Sequence, residues 1–133
     1  MLVICLGKGG YMYYFSKTSK SRLITCHPDL QKLFNEVIKY RDCSIICGHR
    51  NMFDQNQAYE LGYSNAEFPD SFHNSHPSNA VDVMPYPIIW NDTDGVIEFA
   101  GFVMGVAAVM GIQIKWGGHF VEDFDGSHYE LAR

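Results

Sequence analysis

The segment that decides the fold is His73-Asn74-Ser75-His76-Pro77-Ser78-Asn79-Ala80-Val81-Asp82, in which turn-forming residues lead into an apolar stretch. Val81, Val83 and Met84 flank Asp82, so a carboxylate lies inside a sequence that is otherwise typical of a buried strand. A carboxylate is rarely found there unless it is paired, hydrogen-bonded or bound to a metal. The segment therefore predicts a strand that carries a polar site.

Two histidines and an aspartate in this segment favour a metal site. Neutral imidazole and carboxylate groups bind zinc, and a catalytic zinc has three protein ligands and a fourth position for water. A third ligand can come from the sequence Asp125-Gly126-Ser127-His128-Tyr129-Glu130-Leu131, where a histidine follows a carboxylate by three residues. This spacing suggests one ligand and one general base. Each residue taken singly is more typical of a solvated or turn-capping side chain, so only the combination favours a metal.

The composition is that of one globular domain. The 133 residues are 47% hydrophobic and 14% aromatic, which is enough for a single core and unlike a disordered chain. The formal net charge of −5 and the lack of a basic cluster argue against a nucleic-acid partner. The four cysteines match neither a CxxC pair nor a zinc knuckle, so we expect structural thiols at Cys5, Cys26, Cys43 and Cys47.

The first residues do not fit the pattern that follows them. The apolar run at residues 1–7 is too short for a membrane span and has no basic leader typical of a signal peptide. We therefore expect residues 1–15 to be a dispensable extension, with Met12 as an alternative start, and residues 16–133 to form the domain.

The remaining pattern predicts short helices and strands in an α+β arrangement. Apolar residues at three- and four-residue intervals predict an amphipathic helix over residues 28–41, and a second helix over residues 51–61 closed by Gly62. Residues 96–110 are apolar nearly all round and predict a core helix, too short and too rich in glycine for a membrane span. The polar residues 16–22 predict a solvated lead-in, and the predicted strands are Cys43–Cys47, 112–116 and 129–131.

The motifs taken together resemble a known family. Their order and spacing are those of the zinc D-alanyl-D-alanine carboxypeptidases and L-alanyl-D-glutamate endopeptidases, especially the single-domain phage endolysin branch. The likeness extends from about residue 16 to residue 131. The motifs are GxR at 48–50, SxHN at 71–74, PSxAVD at 77–82, PYP at 85–87, WGG at 116–118 and DxxHxEL at 125–131.

The resemblance implies a role for each matching residue. It implies that His73, Asp82 and His128 bind zinc. It also implies that Asp125 is the general base and that Arg50 stabilises the substrate carbonyl as negative charge develops there. The side chains expected to support or contact the substrate are Gln55, Ser78 and Trp116.

Three features depart from the family pattern. The commoner spacing between the first histidine and the aspartate would fall on Ser75, whereas His73 fits the longer spacing of the phage branch and His76 is its alternative. Phe72 stands where a small or basic residue is usual, so the pocket rim is expected to differ. His119 follows the WGG motif where aspartate is usual, which would remove a supporting hydrogen bond or leave an extra polar group near the metal.

The resemblance implies a Hedgehog/DD-peptidase-like α+β fold, with a small antiparallel sheet, flanking helices and a zinc site. It implies a monomeric zinc peptidase that cuts peptidoglycan stem peptides at the L-Ala–D-Glu bond, with cleavage after D-Ala as the alternative. A zinc-binding relative without catalysis, or an interaction domain with incidental histidines, are alternatives from other classes. We expect synthesis in a host cytoplasm and access to the wall through a membrane lesion made by another protein.

Overall fold

The computed structural model of the protein describes residues 12–132. Four helices and a four-stranded antiparallel sheet make up this part of the chain, so the predicted α+β class is confirmed. Short 3-10 turns lie at Phe72–Asn74 and Gly117–His119. The main elements in chain order are α1 Lys17–Leu23, α2 Pro28–Val37, β1 Cys43–Cys47, α3 Met52–Glu60, β2 Ala80–Pro85, α4 Thr93–Met110, β3 Ile114–Trp116 and β4 His128–Leu131.

The sheet has the strand order β1-β2-β4-β3, with every neighbouring pair antiparallel. Asp82 on β2 is directly opposite His128 on β4 and, on its other side, opposite Cys47 on β1. Directly opposed residues of an antiparallel sheet present their side chains on the same face. The register therefore aligns a thiol, a carboxylate and an imidazole in one row across three strands.

The hydrophobic core lies between the sheet and the helices α2 and α4. Val81 and Val83 are buried in this core, so Asp82 between them faces the opposite side of the strand. Phe34 of α2 packs edge-on against Tyr129 of β4, with ring centroids 5.4 Å apart. Core packing thus determines the face of the sheet on which the side chains of Cys47, Asp82 and His128 lie.

The prediction of a solvated lead-in at residues 16–22 is wrong, because this segment forms α1. Ser16 is the N-cap, and its hydroxyl accepts a hydrogen bond from the backbone N–H of Ser19. Ser19 and Leu23, one turn apart, are buried. A helix of seven residues with two inward positions is too short to show an apolar period, which is why the pattern failed here.

The N-terminal boundary and the bounds of two elements also differ from prediction. Phe15 is buried in the core, so the packed domain begins before Ser16. Residues 1–11 lie outside the described part of the chain, and the dispensability of the extension stays a prediction. Helix α2 ends at Val37, before residue 41, and β3 begins at Ile114, after residue 112.

Helix α4 is a core helix on one face only. It begins at Thr93 after the N-cap Asp92, earlier than predicted, and ends at Gly111 with a φ of 73°. Its buried side chains follow one stripe, whereas Val109 is 90% exposed. By length and composition alone the helix could cross a membrane, so the absence of a membrane span stays a prediction.

Ser19 offers a test of the packing of α1 on the sheet. Its buried hydroxyl accepts a 2.9 Å hydrogen bond from the backbone N–H of Ile45 in β1. Ser19→Ala leaves that donor unsatisfied, so we expect the free energy of unfolding to fall by about 1–3 kcal/mol. Urea denaturation would measure it. The control is Ser21→Ala on the same helix, where an exposed hydroxyl bonds only Thr18 and a change within about 0.5 kcal/mol is expected. Equal losses in the two variants would contradict the role of this contact.

Candidate metal centre

Asp82 lies at the centre of a cluster of polar side chains. Its Oδ1 atom is 3.2 Å from Nε2 of His73 and 3.2 Å from Nδ1 of His128. Its Oδ2 atom is 3.6 Å from Nη2 of Arg50. In a tetrahedral zinc site with bonds of about 2.0–2.1 Å, neighbouring N and O ligand atoms lie about 3.3 Å apart. Both nitrogen–oxygen separations therefore match the edges of such a site.

The local backbone determines where the two imidazoles lie. His128 is held by strand pairing, because it is directly opposite Asp82 in the register of β2 and β4. His73 lies in a 3-10 turn closed by a capping box between Ser71 and Asn74. The carbonyl of His73 accepts a 2.8 Å hydrogen bond from the backbone N–H of Arg50. The turn is thereby anchored to the segment that follows β1.

Hydrogen bonds on the far side of each ring select the tautomer that a metal needs. Nδ1 of His73 lies 2.7 Å from the carbonyl oxygen of Gly48. A carbonyl can only accept, so Nδ1 donates and the neutral ring keeps its lone pair on Nε2, towards Asp82. In the same way Nε2 of His128 lies 2.7 Å from the Glu130 carboxylate, which leaves Nδ1 for a metal. Such supporting acceptors are typical of metal-binding histidines.

The charges of this cluster suit a divalent cation. Burial alone would lower the pKa of both histidines, but Asp82 outweighs it, raising the pKa of His73 to about 10 and, together with Glu130, that of His128 to about 9. Burial would raise the pKa of Asp82, yet the two imidazoles hold it well below its usual range. Protonation of the imidazoles thus compensates the Asp82 carboxylate in the absence of a cation, and metal binding would release protons.

Five side chains of the cluster have ligand chemistry, in two overlapping groups. Cys47, His73 and Asp82 form one group, and Asp82, Asp125 and His128 form the other. The ligand atoms within each group lie within 4.8 Å of one another. Of the expected zinc ligands, His73 belongs to the first group, His128 to the second, and Asp82 to both. Imidazole, carboxylate and thiol donors are those that zinc accepts, so the residues fit this metal.

Asp125 lies beside the ligands in the loop before β4. Burial raises the pKa of its carboxyl group, and the nearby Asp82 carboxylate raises it further. Its backbone N–H donates to the carbonyl of Gly117 at 3.1 Å. A Cβ atom at Gly117 would lie only 2.2 Å from the carbonyl oxygen of Asp125, so glycine is required for the loop to approach. A partly buried carboxyl group with a raised pKa is suited to proton transfer.

Gln55 holds Arg50 in place from below the site. It is fully buried, and its Oε1 accepts hydrogen bonds from Nη1 of Arg50 at 2.9 Å and from Nδ2 of Asn74 at 3.0 Å. Its Nε2 donates to the hydroxyl of Ser64 and to the carbonyl of Ala66. All its hydrogen-bonding capacity is used inside the protein, so Gln55 positions the arginine and has no surface for a substrate.

Ser78 and Trp116 are also placed beneath the site. Ser78 is fully buried, and its hydroxyl donates to the carbonyl of Ala80 at 2.6 Å. Trp116 is 6% exposed, and its indole N–H donates to the carbonyl of Gly126 at 2.8 Å. Ser78, Trp116 and Gln55 were expected to contact or support the substrate. Because all three are buried, the structure does not support a direct contact. Ser78 and Trp116 instead stabilise the segments that carry the ligands.

The histidines at the departures from the family pattern lie away from Asp82. His76 is exposed, and its ring centroid lies 4.8 Å from that of His49. The structure thus brings His73, rather than His76, to Asp82. His119 is exposed and packs edge-on against Trp116, with centroids 4.9 Å apart.

Two residues of the site were not singled out from the sequence. Glu130 follows His128 by two positions on β4, the spacing that places side chains on one face of a strand. Cys47 directly precedes the GxR motif, at the end of β1. Burial would raise the pKa of the Cys47 thiol, but contacts with His73 and Arg50 lower it. Both residues are visible in the sequence, but only the pairing of the strands shows that they lie beside the predicted ligands.

Comparisons with known proteins identify the family of this chain. The L-alanyl-D-glutamate peptidase of Escherichia phage T5 is 27% identical over 137 residues, a match that covers 90% of this chain and 98% of the phage protein. The crystal structure of the Serratia marcescens L-Ala D-Glu endopeptidase ChiX matches with a TM-score of 0.76 and 28% identity, over 90% of each chain. These names support the endopeptidase branch and not the carboxypeptidase alternative. The family of phage L-alanyl-D-glutamate peptidases matches residues 11–132, and the chain belongs to that family.

Proposed function

We propose that the protein is a zinc-dependent endopeptidase that hydrolyses the L-alanyl-D-glutamate bond in the stem peptides of peptidoglycan. The family and the names of its relatives support the peptidase activity and the bond. The observation that carries the metal dependence is the carboxylate of Asp82, which lies 3.2 Å from Nε2 of His73 and 3.2 Å from Nδ1 of His128. On this proposal the protein is made in the host cytoplasm and acts as a monomer on the wall after another protein has opened the membrane.

His73, Asp82 and His128 would hold the zinc ion. The ion, when bound, supplies Lewis acidity that polarises a carbonyl group and makes water acidic near neutral pH. The hydrogen bonds from the rings to Gly48 and Glu130 keep both imidazoles in the binding tautomer. These hydrogen bonds therefore fix the orientation of both rings before a metal binds.

Asp125 is the group that moves the proton. Its carboxylate lies in one cluster with Asp82 and His128, so it can accept a proton from the attacking water beside the metal ligands. It can then donate that proton to the leaving amine. The raised pKa of Asp125 favours its role as a base, since a carboxylate with a pKa nearer neutrality is a better proton acceptor.

Arg50 supplies the fixed positive charge. Its guanidinium lies 3.6 Å from Asp82 and is oriented by Gln55 at its other nitrogen. A cation at the edge of the ligand cluster stabilises the negative oxygen that develops on a cleaved amide. Loss of its orientation should therefore affect the rate of reaction more than the affinity for metal.

Removal of the metal is the first test. Dialysis against 1,10-phenanthroline should abolish the release of new amino groups from purified peptidoglycan, and one equivalent of Zn²⁺ should restore it, because the metal provides the Lewis acid. Mass spectrometry of the muropeptides should show D-glutamate as the new N-terminus. Release of D-alanine instead would refute the assigned bond. Full activity without metal would refute the zinc dependence.

Asp125→Ala tests the general base. We expect a fall in kcat of about 10²- to 10⁴-fold with an unchanged zinc content, because proton transfer is lost while the three ligands remain. The control is Asp123→Ala, an exposed carboxylate two positions earlier in the same loop, which should keep the wild-type rate. An Asp125→Ala protein as active as wild type would show that this residue is not the base, and an inactive wild type would favour a non-catalytic zinc-binding relative.

Gln55→Leu tests the positioning of Arg50. The variant removes the acceptor for Arg50 and Asn74 and the donor to Ser64 and Ala66, and it places an apolar side chain of similar size in the buried position. We expect kcat to fall by about 10- to 100-fold through loss of orientation, with an unchanged affinity for Zn²⁺. Gln57→Leu, at an exposed position of the same helix, is the control. If zinc affinity and kcat fell together, Gln55 would support the whole fold and not the arginine.

A further inference from the structure

Cys47 lies in the metal-capable cluster but has no part in the mechanism proposed above. It is directly opposite Asp82 in the pairing of β1 with β2, so its side chain lies on the same face of the sheet. Its Sγ atom, one ring nitrogen of His73 and one carboxylate oxygen of Asp82 all lie within 4.8 Å of one another. The sulfur is therefore beside two of the expected zinc ligands.

Contacts around the sulfur direct it towards the site. Nη2 of Arg50 lies 3.5 Å from Sγ of Cys47 and 3.6 Å from Oδ2 of Asp82, so one guanidinium nitrogen bridges the thiol and the carboxylate. Cys47 is half-buried, whereas Cys26 and Cys43 are buried in the hydrophobic core. The expectation of a structural thiol therefore fits Cys26 and Cys43 but not Cys47.

We propose that the thiolate of Cys47 is a fourth protein ligand of the metal ion, an inference that rests on the proposed metal dependence. With zinc–nitrogen bonds of about 2.0 Å and a zinc–sulfur bond of about 2.3 Å, tetrahedral ligand atoms lie about 3.5 Å apart. The atoms of Cys47, His73 and Asp82 lie within 4.8 Å of one another, so bringing these three donors onto one ion needs shifts of about 1 Å. His128 belongs to the neighbouring group, and its Nδ1 atom contacts the same Asp82 oxygen as His73. The thiol proton passes to water as the metal–sulfur bond forms.

A fourth protein ligand changes the state of the resting enzyme. Four protein ligands saturate a tetrahedral zinc ion, as in structural sites, whereas a catalytic site keeps one position open. Cys47 would therefore hold the site closed until its sulfur leaves the ion and a water or a substrate carbonyl takes its place. A thiolate also favours soft metals, so the site should prefer Cd²⁺ over Mn²⁺ more strongly than two imidazoles and a carboxylate would.

Cobalt is the probe that reports the sulfur directly. Full-length protein loaded with one equivalent of Co²⁺ should show the near-ultraviolet charge-transfer absorption of a thiolate–cobalt bond, in addition to the visible bands of a four-coordinate cobalt ion. Cys47→Ser should lose the near-ultraviolet band and keep the visible ones, because the other ligands remain. Cys43→Ala and Cys5→Ser should keep both sets, and circular dichroism would verify that every variant is folded.

The outcomes separate this inference from the proposed function. If the wild type binds cobalt but Cys47→Ser leaves the near-ultraviolet absorption unchanged, or if the wild type shows no such band, Cys47 is not a ligand. If the wild type binds no stoichiometric cobalt or zinc, the proposed metal peptidase itself fails.

Competition between metals gives a second measurement. We expect Cys47→Ser to lower the affinity for Cd²⁺ at least about tenfold more than the affinity for Mn²⁺, since only the soft ion loses a preferred donor. Equal losses for the two ions would overturn the assignment of the sulfur as a ligand.

Discussion

One carboxylate shared between two imidazoles and a guanidinium is the constraint on which the structure depends. A buried carboxylate is costly unless cations and hydrogen-bond donors compensate it. Asp82 obtains this compensation from His73, His128 and Arg50, which come from three separate parts of the chain. The fold must bring all three side chains to Asp82. The need to compensate this carboxylate therefore determines how the sheet, the 3-10 turn and the segment after β1 are arranged.

The metal-site histidines and the groups with a proposed chemical role are supported by different contacts. The two histidines are held by a backbone carbonyl at Gly48 and by a carboxylate on the same strand at Glu130. The groups given a chemical role in the proposed function, Asp125 and Arg50, are positioned by Gly117 and Gln55. On the proposed function, metal affinity and reaction rate would depend on different contacts, so single substitutions should separate them.

Much of the architecture could be predicted because local patterns were strong. The strand Cys43–Cys47 has the predicted bounds, and α3 and α4 end near the glycines that the sequence indicated. The helix α1 could not be predicted from periodicity, since its inward contacts are a serine hydroxyl and one leucine. The exposed apolar face of α4 was equally hidden, because composition does not reveal how many neighbours a helix has.

The sequence motifs indicated most residues of the site, but they did not indicate how those residues contact one another. Residue type and spacing indicated a metal site, and the family resemblance implied His73, Asp82 and His128 as its ligands. The structure brings both histidines to the carboxylate of Asp82. The proximity of Cys47 depends on the register of β1 against β2, which includes an irregularity between Ile45 and Cys47. No local pattern encodes such a shift in pairing. The burial of Gln55 likewise follows from the packing of α3, which has only a weak apolar face.

The contact of α1 with β1 has a consequence for the behaviour of the protein in solution. Strand β1 is at the edge of the sheet, where unpaired backbone groups can recruit a strand from another molecule. The hydroxyl of Ser19 accepts from the N–H of Ile45, and the guanidinium of Arg22 donates to its carbonyl at 3.0 Å. Two side chains of a short helix thereby block intermolecular strand addition, which protects the chain against aggregation through this edge.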